Sequence, residues 1–267
     1  MTYLISGDKL YLVIREDVLA RGAKRRRRRT RSGLWLIVAV FVSGFMAHAL
    51  GIFARPAGLI HQYNVNYLIV DLHRYRVSPI VATNPDHSED FTSMVRRTKP
   101  YAAICGTYYD PHYKPLGDIL INGKLVNRGC QRQAIGFTSD GKIKFLERKG
   151  RSRINWSGCL SGMACGPRLV RGGRKDINVK RDGFGSKAAT NEAFRCAVGA
   201  RKDGKLILCV IKNSVTLSTT ADIMIELGAV NAINLDGGSM CALYENGKYH
   251  ARPVHSVSNI LAVYKRK

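Results

Sequence analysis

An apolar run, Asn231-Ala-Ile-Asn-Leu, opens directly onto Asp236, two glycines and a hydroxyl: Gly237, Gly238 and Ser239. A carboxylate at the carboxyl end of a buried strand stands where reacting groups stand, and neighbouring glycines let a ligand approach the backbone closely. Taken alone, the same letters also spell a tight Asp-Gly turn closing a hairpin. A second constellation follows another apolar run: Cys105-Gly106-Thr107-Tyr108-Tyr109-Asp110, then Pro115-Leu116-Gly117-Asp118. By itself it reads as a loop with aromatic cover.

Together with two further segments, these blocks resemble the phosphodiester glycosidase family. An N-G-x-F-F-like block lies at Cys105 to Tyr109 with Pro-x-Gly-Asp after it. A G-P-R-L block spans Gly166 to Leu169, an R-x-A-x-G block Arg195 to Gly199, and N-L-D-G-G-S Asn234 to Ser239; an R-x-x-S-N-like element ends at Ser258-Asn259. The blocks are collinear with the family's order and extend over most of residues 60 to 265. The chain departs from the family pattern at Cys105, where Asn is usual, at Cys196, where Thr is frequent, and near His255, where Arg is frequent and Arg252 is the available substitute. The segment Ile211-Lys212-Asn213-Ser214 replaces a V-D-G-R run.

The resemblance implies cleavage of a sugar C1–O bond, which passes through an oxocarbenium-like centre and normally uses two carboxylates. Asp236 is the expected carboxylate at the reacting carbon, with Asp118 or Asp110 as its partner. A phosphomonoester leaving group has a second pKa of about 6 and is weakly basic, so cationic clamps can replace much of an acid's work. Arg168 and Arg195 are the expected phosphate ligands, by bidentate contacts. Asn234, Ser239, Thr107 and Asn259 would orient sugar hydroxyls, and Gly106, Gly237 and Gly238 would permit close approach. The acidic residues do not cluster at metal-ligand spacing, so no metal and no cofactor is expected.

Which elements would hold these residues? Strand-like runs cover Tyr63 to Leu72, Ala102 to Tyr109, Asp118 to Ile121, Ala134 to Thr138 and Lys142 to Leu146, with hairpin turns at Asn122-Gly123 and Asp140-Gly141. A helix capped by Ser88 ends before Pro100, and another capped by Ser218 or Thr219 ends at Gly228. The stretch from Glu147 to Lys187, rich in Gly, Arg, Lys and Ser, reads as loops around one short strand near Leu169. Strands at Phe194 to Gly199, Leu206 to Ile211, Val230 to Leu235, Ala242 to Tyr244, Lys248 to His250 and Ile260 to Tyr264 complete the pattern. The class is α/β in the broad sense, an α+β mixed sheet with few helices.

Ahead of this domain, residues 34–54 contain Leu34 to Phe53, about 20 residues with no formal charge, the length of a membrane-spanning helix. Lys24 to Arg31 reads KRRRRRTR, which the positive-inside rule keeps cytoplasmic. The expected organisation is therefore a basic cytoplasmic tail at 1–33, a transmembrane helix at 34–54, a linker at 55–62 and one extracytoplasmic domain at 63–267. Ala47-His48-Ala49 leaves signal-peptide cleavage as the competing reading. Of the net charge of +24, residues 1–54 hold ten basic and three acidic side chains, which leaves +17 on the remainder. Such a domain attracts anions, and a phosphorylated glycan or anionic envelope polymer is the expected partner. No helix-turn-helix, RRM or zinc pattern points to nucleic acid.

All seven cysteines lie beyond the membrane segment. In an oxidising compartment a bridge is expected, Cys159 with Cys165 being the nearest pair in sequence. Two other function classes fit parts of this pattern. One is a non-catalytic envelope protein that binds an anionic polymer; the other is a cysteine hydrolase pairing Cys105 or Cys241 with His250 or His255.

Overall fold

The structure is a computed structural model that describes residues 2–6, 9–13, 58–185 and 191–266. Its contacts divide the chain into two units, Met1–Arg55 and Pro56–Lys267. In the first, β1 (Thr2–Ser6) and β2 (Lys9–Val13) pair as an antiparallel hairpin within the stretch expected to be a basic tail. The transmembrane helix expected at 34–54 and the arginine run before it lie outside the described residues.

The second unit begins with α1 (Leu59–Gln62), β3 (Val65–Val70), β4 (Tyr75–Val81), α2 (Phe91–Thr98) and β5 (Ala102–Cys105). Five strands follow: β6 (Ile119–Ile121), β7 (Lys124–Asn127), β8 (Gln133–Phe137), β9 (Ile143–Glu147) and β10 (Ser161–Cys165). Then come β11 (Arg168–Arg171), β12 (Arg174–Lys175), β13 (Ala193–Arg201), β14 (Leu206–Val215) and α3 (Leu217–Glu226). β15 (Ala229–Asn234), a 3-10 turn (Gly238–Met240), β16 (Leu243–Glu245), β17 (Lys248–Ala251) and β18 (Asn259–Lys265) close the chain.

These strands build three sheets, in the orders β7-β6-β10-β8-β9, β12-β11-β15-β13-β14-β3 and β17-β16-β5-β18-β4. Every strand pair among the described residues is antiparallel. The domain is therefore sheet-dominated α+β with few helices, the narrower form of the expected class.

The six-stranded sheet is buried on both faces, which is why Leu206-Ile-Leu-Cys-Val-Ile211 reads as an unbroken apolar run. Leu206, Leu208 and Val210 turn into the main core with Cys196, Val198, Ile233 and Leu235. Ile207, Cys209 and Ile211 face the other way, onto Ile223 and Met224 of α3. Gly199 makes that close packing possible, because a Cβ there would stand 2.7 Å from Met224 Cε and 2.9 Å from the Asn231 carbonyl oxygen.

Several boundaries differ from the sequence reading. The linker expected at 55–62 ends in α1, since Leu59 and Ile60 pack on the α3 side of the sheet and Leu59 N–H donates to Glu226 Oε2 at 2.7 Å. Asp90, not Ser88, caps α2 by accepting from Ser93 N–H at 2.9 Å; Ser88 Oγ instead donates to Asp86 Oδ2 at 2.8 Å. Thr216, not Ser218 or Thr219, caps α3, because burial of Leu217 draws the first turn back. β4 escaped detection because Pro79 argues against a strand; β4 lies at a sheet edge, where proline is tolerated. The expected single strand between 147 and 187 is three: β10, β11 and β12. β10, Ser-Gly-Met-Ala-Cys, is buried at every position, so it shows no alternation.

Candidate active site

Two strand ends meet to form the site. Asp236 follows β15, Gly106 follows β5, and Asp236 N–H donates to the Gly106 carbonyl at 3.0 Å. The Cys105 thiol, beneath, donates to the Asp236 carbonyl at 2.7 Å. Gly106 is obligatory here: a Cβ would fall 1.9 Å from Asn259 Oδ1 and 2.8 Å from the Asn259 carbonyl oxygen. Gly237 faces the same limit, 2.7 Å from the Phe194 carbonyl.

Over this junction lies a cleft of about 530 Å³ whose lining includes Asp236, Gly237, Gly238, Tyr108, Tyr109, Phe184 and Arg195. Tyr108 and Phe184 meet edge to face with centroids 5.7 Å apart. Tyr109 stacks on Tyr113 at 5.3 Å, and its hydroxyl donates to the Ser256 carbonyl at 3.1 Å. Burial pushes both the Tyr108 and the Tyr109 phenol pKa upward, and the nearby Asp236 charge adds to this. Aromatic walls around one carboxylate make a dry, sugar-sized space.

Asp236 is the sole carboxylate among the described residues lining that cleft. Burial raises its pKa from 3.8 to about 7, opposed by the Gly237 N–H, which donates to Oδ1 at 2.9 Å. A carboxyl that exchanges its proton near neutrality suits acid–base work. Arg195 Nε donates to the Val215 carbonyl at 3.2 Å and its Nη2 to the Asn191 carbonyl, which holds the guanidinium at the cleft wall. Burial lowers its pKa, so its charge acts through a poorly screening surround.

The remaining expected residues take other places. Asp110 lines a separate pocket, and its Oδ1 is occupied by the backbone N–H groups of His112 and Lys114, both at 2.9 Å. Asp118 lines a third pocket, where Oδ1 accepts from Gly129 N–H at 2.8 Å and Oδ2 from Trp156 Nε1 at 3.1 Å. The expected carboxylate pair with Asp236 is therefore not assembled. Arg168 is 2% exposed, donates through Nε to Gln133 Oε1 at 2.9 Å and lies over the Phe145 ring. Burial pushes its pKa down to about 10. It joins β11 to β8 and β9 and does not line the cleft; of the two arginines expected to bind phosphate, Arg195 does.

Three of the four expected hydroxyl-orienting residues, Thr107, Asn234 and Asn259, are buried behind the cleft wall. Asn259 Oδ1 accepts from Thr107 N–H at 2.8 Å and Nδ2 donates to the Thr107 carbonyl at 3.1 Å, tying the Gly106 loop to β18. Asn234 Nδ2 donates to the Tyr108 hydroxyl at 2.7 Å, which sets the angle of that ring. Thr107 is buried, and Ser239 is exposed, with its carbonyl accepting from Val254 N–H at 2.8 Å. The Asn259 and Asn234 side chains position the cleft, and none of the four residues lines it.

Phe184 had no signal within a Gly- and Arg-rich stretch. It is placed by Asp182, whose buried carboxylate accepts from Gln133 Nε2, the Arg168 backbone N–H and Arg181 Nε, all at 2.8 Å.

All seven cysteines are free, so the expected Cys159–Cys165 bridge is absent. Burial pushes the Cys105 thiol up to about 11, and contact with Cys196, together with burial, pushes Cys241 well up. Neither supplies a thiolate, so the cysteine-hydrolase class is set aside. Among the described residues no group of three or more His, Cys, Asp and Glu is arranged to hold a metal ion.

A family model described as phosphodiester glycosidase matches residues 98–264. N-acetylglucosamine-1-phosphodiester alpha-N-acetylglucosaminidase of Mus musculus is 29% identical over 158 residues, 52% of this chain and 30% of that protein. The chain thus matches less than a third of that relative's length. Two solved structures share the fold. A hypothetical protein from Synechocystis superposes with TM-score 0.67 at 18% identity, covering 76% of this chain and 59% of that one. The zebrafish N-acetylglucosamine-1-phosphodiester alpha-N-acetylglucosaminidase catalytic domain, auto-inhibited by its pro-peptide, gives TM-score 0.64 at 22% identity, covering 76% and 83%.

Proposed function

Because the chain belongs to the phosphodiester glycosidase family over residues 98–264, we propose that it hydrolyses the sugar C1–O bond of a sugar-1-phosphodiester carried by a phosphorylated cell-envelope glycan. It acts outside the membrane to which the segment Leu34 to Phe53 tethers it, with the arginine run on the cytoplasmic side.

One observation carries the reading: a single desolvated carboxylate, Asp236 with pKa about 7, on the floor of an aromatic cleft beside Arg195. A lone carboxylate is enough for this bond. The departing phosphomonoester, with a second pKa of about 6, leaves without a proton from the enzyme. The demanding half is at the sugar, where Asp236 as carboxylate accepts a proton from the attacking water and stabilises positive charge developing at C1. Arg195 offsets the charge gathering on the phosphate, and Tyr108, Tyr109 and Phe184 pack on the sugar's C–H faces and exclude water.

The test uses the purified full chain in detergent and a panel of sugar-1-phosphodiesters, with released sugar and phosphomonoester quantified. Turnover that falls roughly a thousandfold or more in Asp236→Asn supports the reading. Release of neither product from any member, or unchanged turnover in the variant, would overturn it. Protease accessibility of the C-terminal domain on intact cells tests the orientation.

A further inference from the structure

A second pocket, of about 170 Å³, adjoins the cleft and is lined by Arg128, Arg148 and Arg153 together with Asp118. The two spaces share a wall, since Gln131 lines both. That wall is pinned: the Leu116 carbonyl accepts from Cys130 N–H at 2.8 Å and Gln131 N–H at 3.2 Å. At Gly129 a Cβ would fall 2.1 Å from the same oxygen, so the strip passes too close for any side chain.

The charges of the pocket do not cancel. Asp118 already accepts from Gly129 N–H and Trp156 Nε1. Arg148 spends only Nε, on the Ser152 carbonyl at 2.8 Å. Neither Arg128 nor Arg153 has an ion-pair partner among the described residues. Asp118 is the sole carboxylate among the described residues lining the pocket; Glu147, beside Arg148 in sequence, pairs with Arg171 at 2.9 Å. On the cleft side, Arg132 approaches Gly183, 3.5 Å from where a Cβ would stand. Three arginines around one concavity focus positive potential, and planar guanidinium forks match a phosphate oxyanion.

We propose that this pocket is a second anion subsite that holds a neighbouring phosphodiester of the same substrate chain. The preferred substrate is then a polymer of phosphodiester-linked units and not an isolated sugar-1-phosphodiester. The polymer assignment rests on the cleft being the place of cleavage; anion binding in the pocket does not.

Two arms separate these. Binding is measured by calorimetry on the full chain in detergent, in the Asp236→Asn background, with a glycerol phosphate hexamer, inorganic phosphate and an oligonucleotide of equal charge. In Arg128→Gln/Arg153→Gln, both positions being exposed, hexamer affinity falls roughly tenfold, with a shallower salt dependence. Arg128→Lys/Arg153→Lys recovers part of the loss, and circular dichroism confirms an unchanged fold. In the turnover arm, with Asp236 intact, the Gln variant loses roughly tenfold in kcat/KM on an oligomeric substrate and is unchanged on a monomeric one.

Wild-type hexamer affinity in the Gln variant overturns the subsite. An oligonucleotide bound as tightly as the hexamer, and weakened equally by the Gln substitutions, overturns the glycan assignment in favour of a general polyanion face. Equal loss on monomeric and oligomeric substrates overturns the polymer preference. No turnover on any substrate sinks the proposed activity, while the binding arm still decides the subsite.

Discussion

Replacing Asp236 by Asn should stabilise the protein at alkaline pH while removing turnover. The Asp236 carboxyl has its pKa raised from 3.8 to about 7 by burial. Between those values the native state holds a proton that the unfolded state has released, so stability falls as pH rises through the window and levels off above it. Below about pH 3 both states are neutral and the cost vanishes. The gap converts to about 4 kcal/mol at roughly 1.4 kcal/mol per unit. Asn carries no charge, yet its amide oxygen still accepts from Gly237 N–H, so the existing hydrogen bond is retained. Thermal unfolding of wild type and variant between roughly pH 3 and pH 9 should show Tm values that nearly coincide at the acid end and separate by roughly 10 °C at the alkaline end. A separation that does not change with pH, or a variant less stable than wild type at pH 9, would refute the desolvation argument. Such an exchange of stability for activity is expected of a buried reacting group.

Other perturbations probe how the site is held. Gly106→Ala drives a methyl group into Asn259; a loss of about 2–4 kcal/mol in denaturant titration and a collapse of turnover are expected, and a neutral variant would mean the loop relaxes freely. Thr216→Ala removes the α3 cap, which accepts from Thr219 N–H at 3.1 Å, and should cost about 1 kcal/mol with kcat unchanged, checked by unfolding and kinetics together. Cys130 is the one exposed cysteine and lines the cleft. Rapid thiol titration should therefore label one site in the native chain and all seven after denaturation, and a bulky adduct should slow turnover. Fewer than seven in denaturant without reductant would reveal a bridge.

Where apolar periodicity and turn chemistry coincide, the fold was readable. Asn122-Gly123, with φ of 50° and 75°, closes the β6–β7 hairpin where the letters placed it. β13, β14 and β15 fall where their apolar runs do. β10 and β4 were unreadable for opposite reasons: one buries every residue and so lacks alternation, and the other carries a proline that only an edge position excuses.

The amino-acid order by itself determined the family and singled out Asp236 and the glycines that follow it as candidate site residues. Those are local properties: motif letters in order, and an apolar run that leads into Asp236 and its glycines. Only the tertiary structure decided which charges share a space. Asp110, Asp118 and Arg168 sit in motifs as persuasive as that of Asp236, yet backbone amides, an indole and a glutamine claim them. Phe184 reaches the cleft because Asp182, two residues before it, is anchored by Gln133 and Arg168, which are distant in sequence. A side chain's partners are set by where separate strands end in space, and sequence spacing does not carry that information.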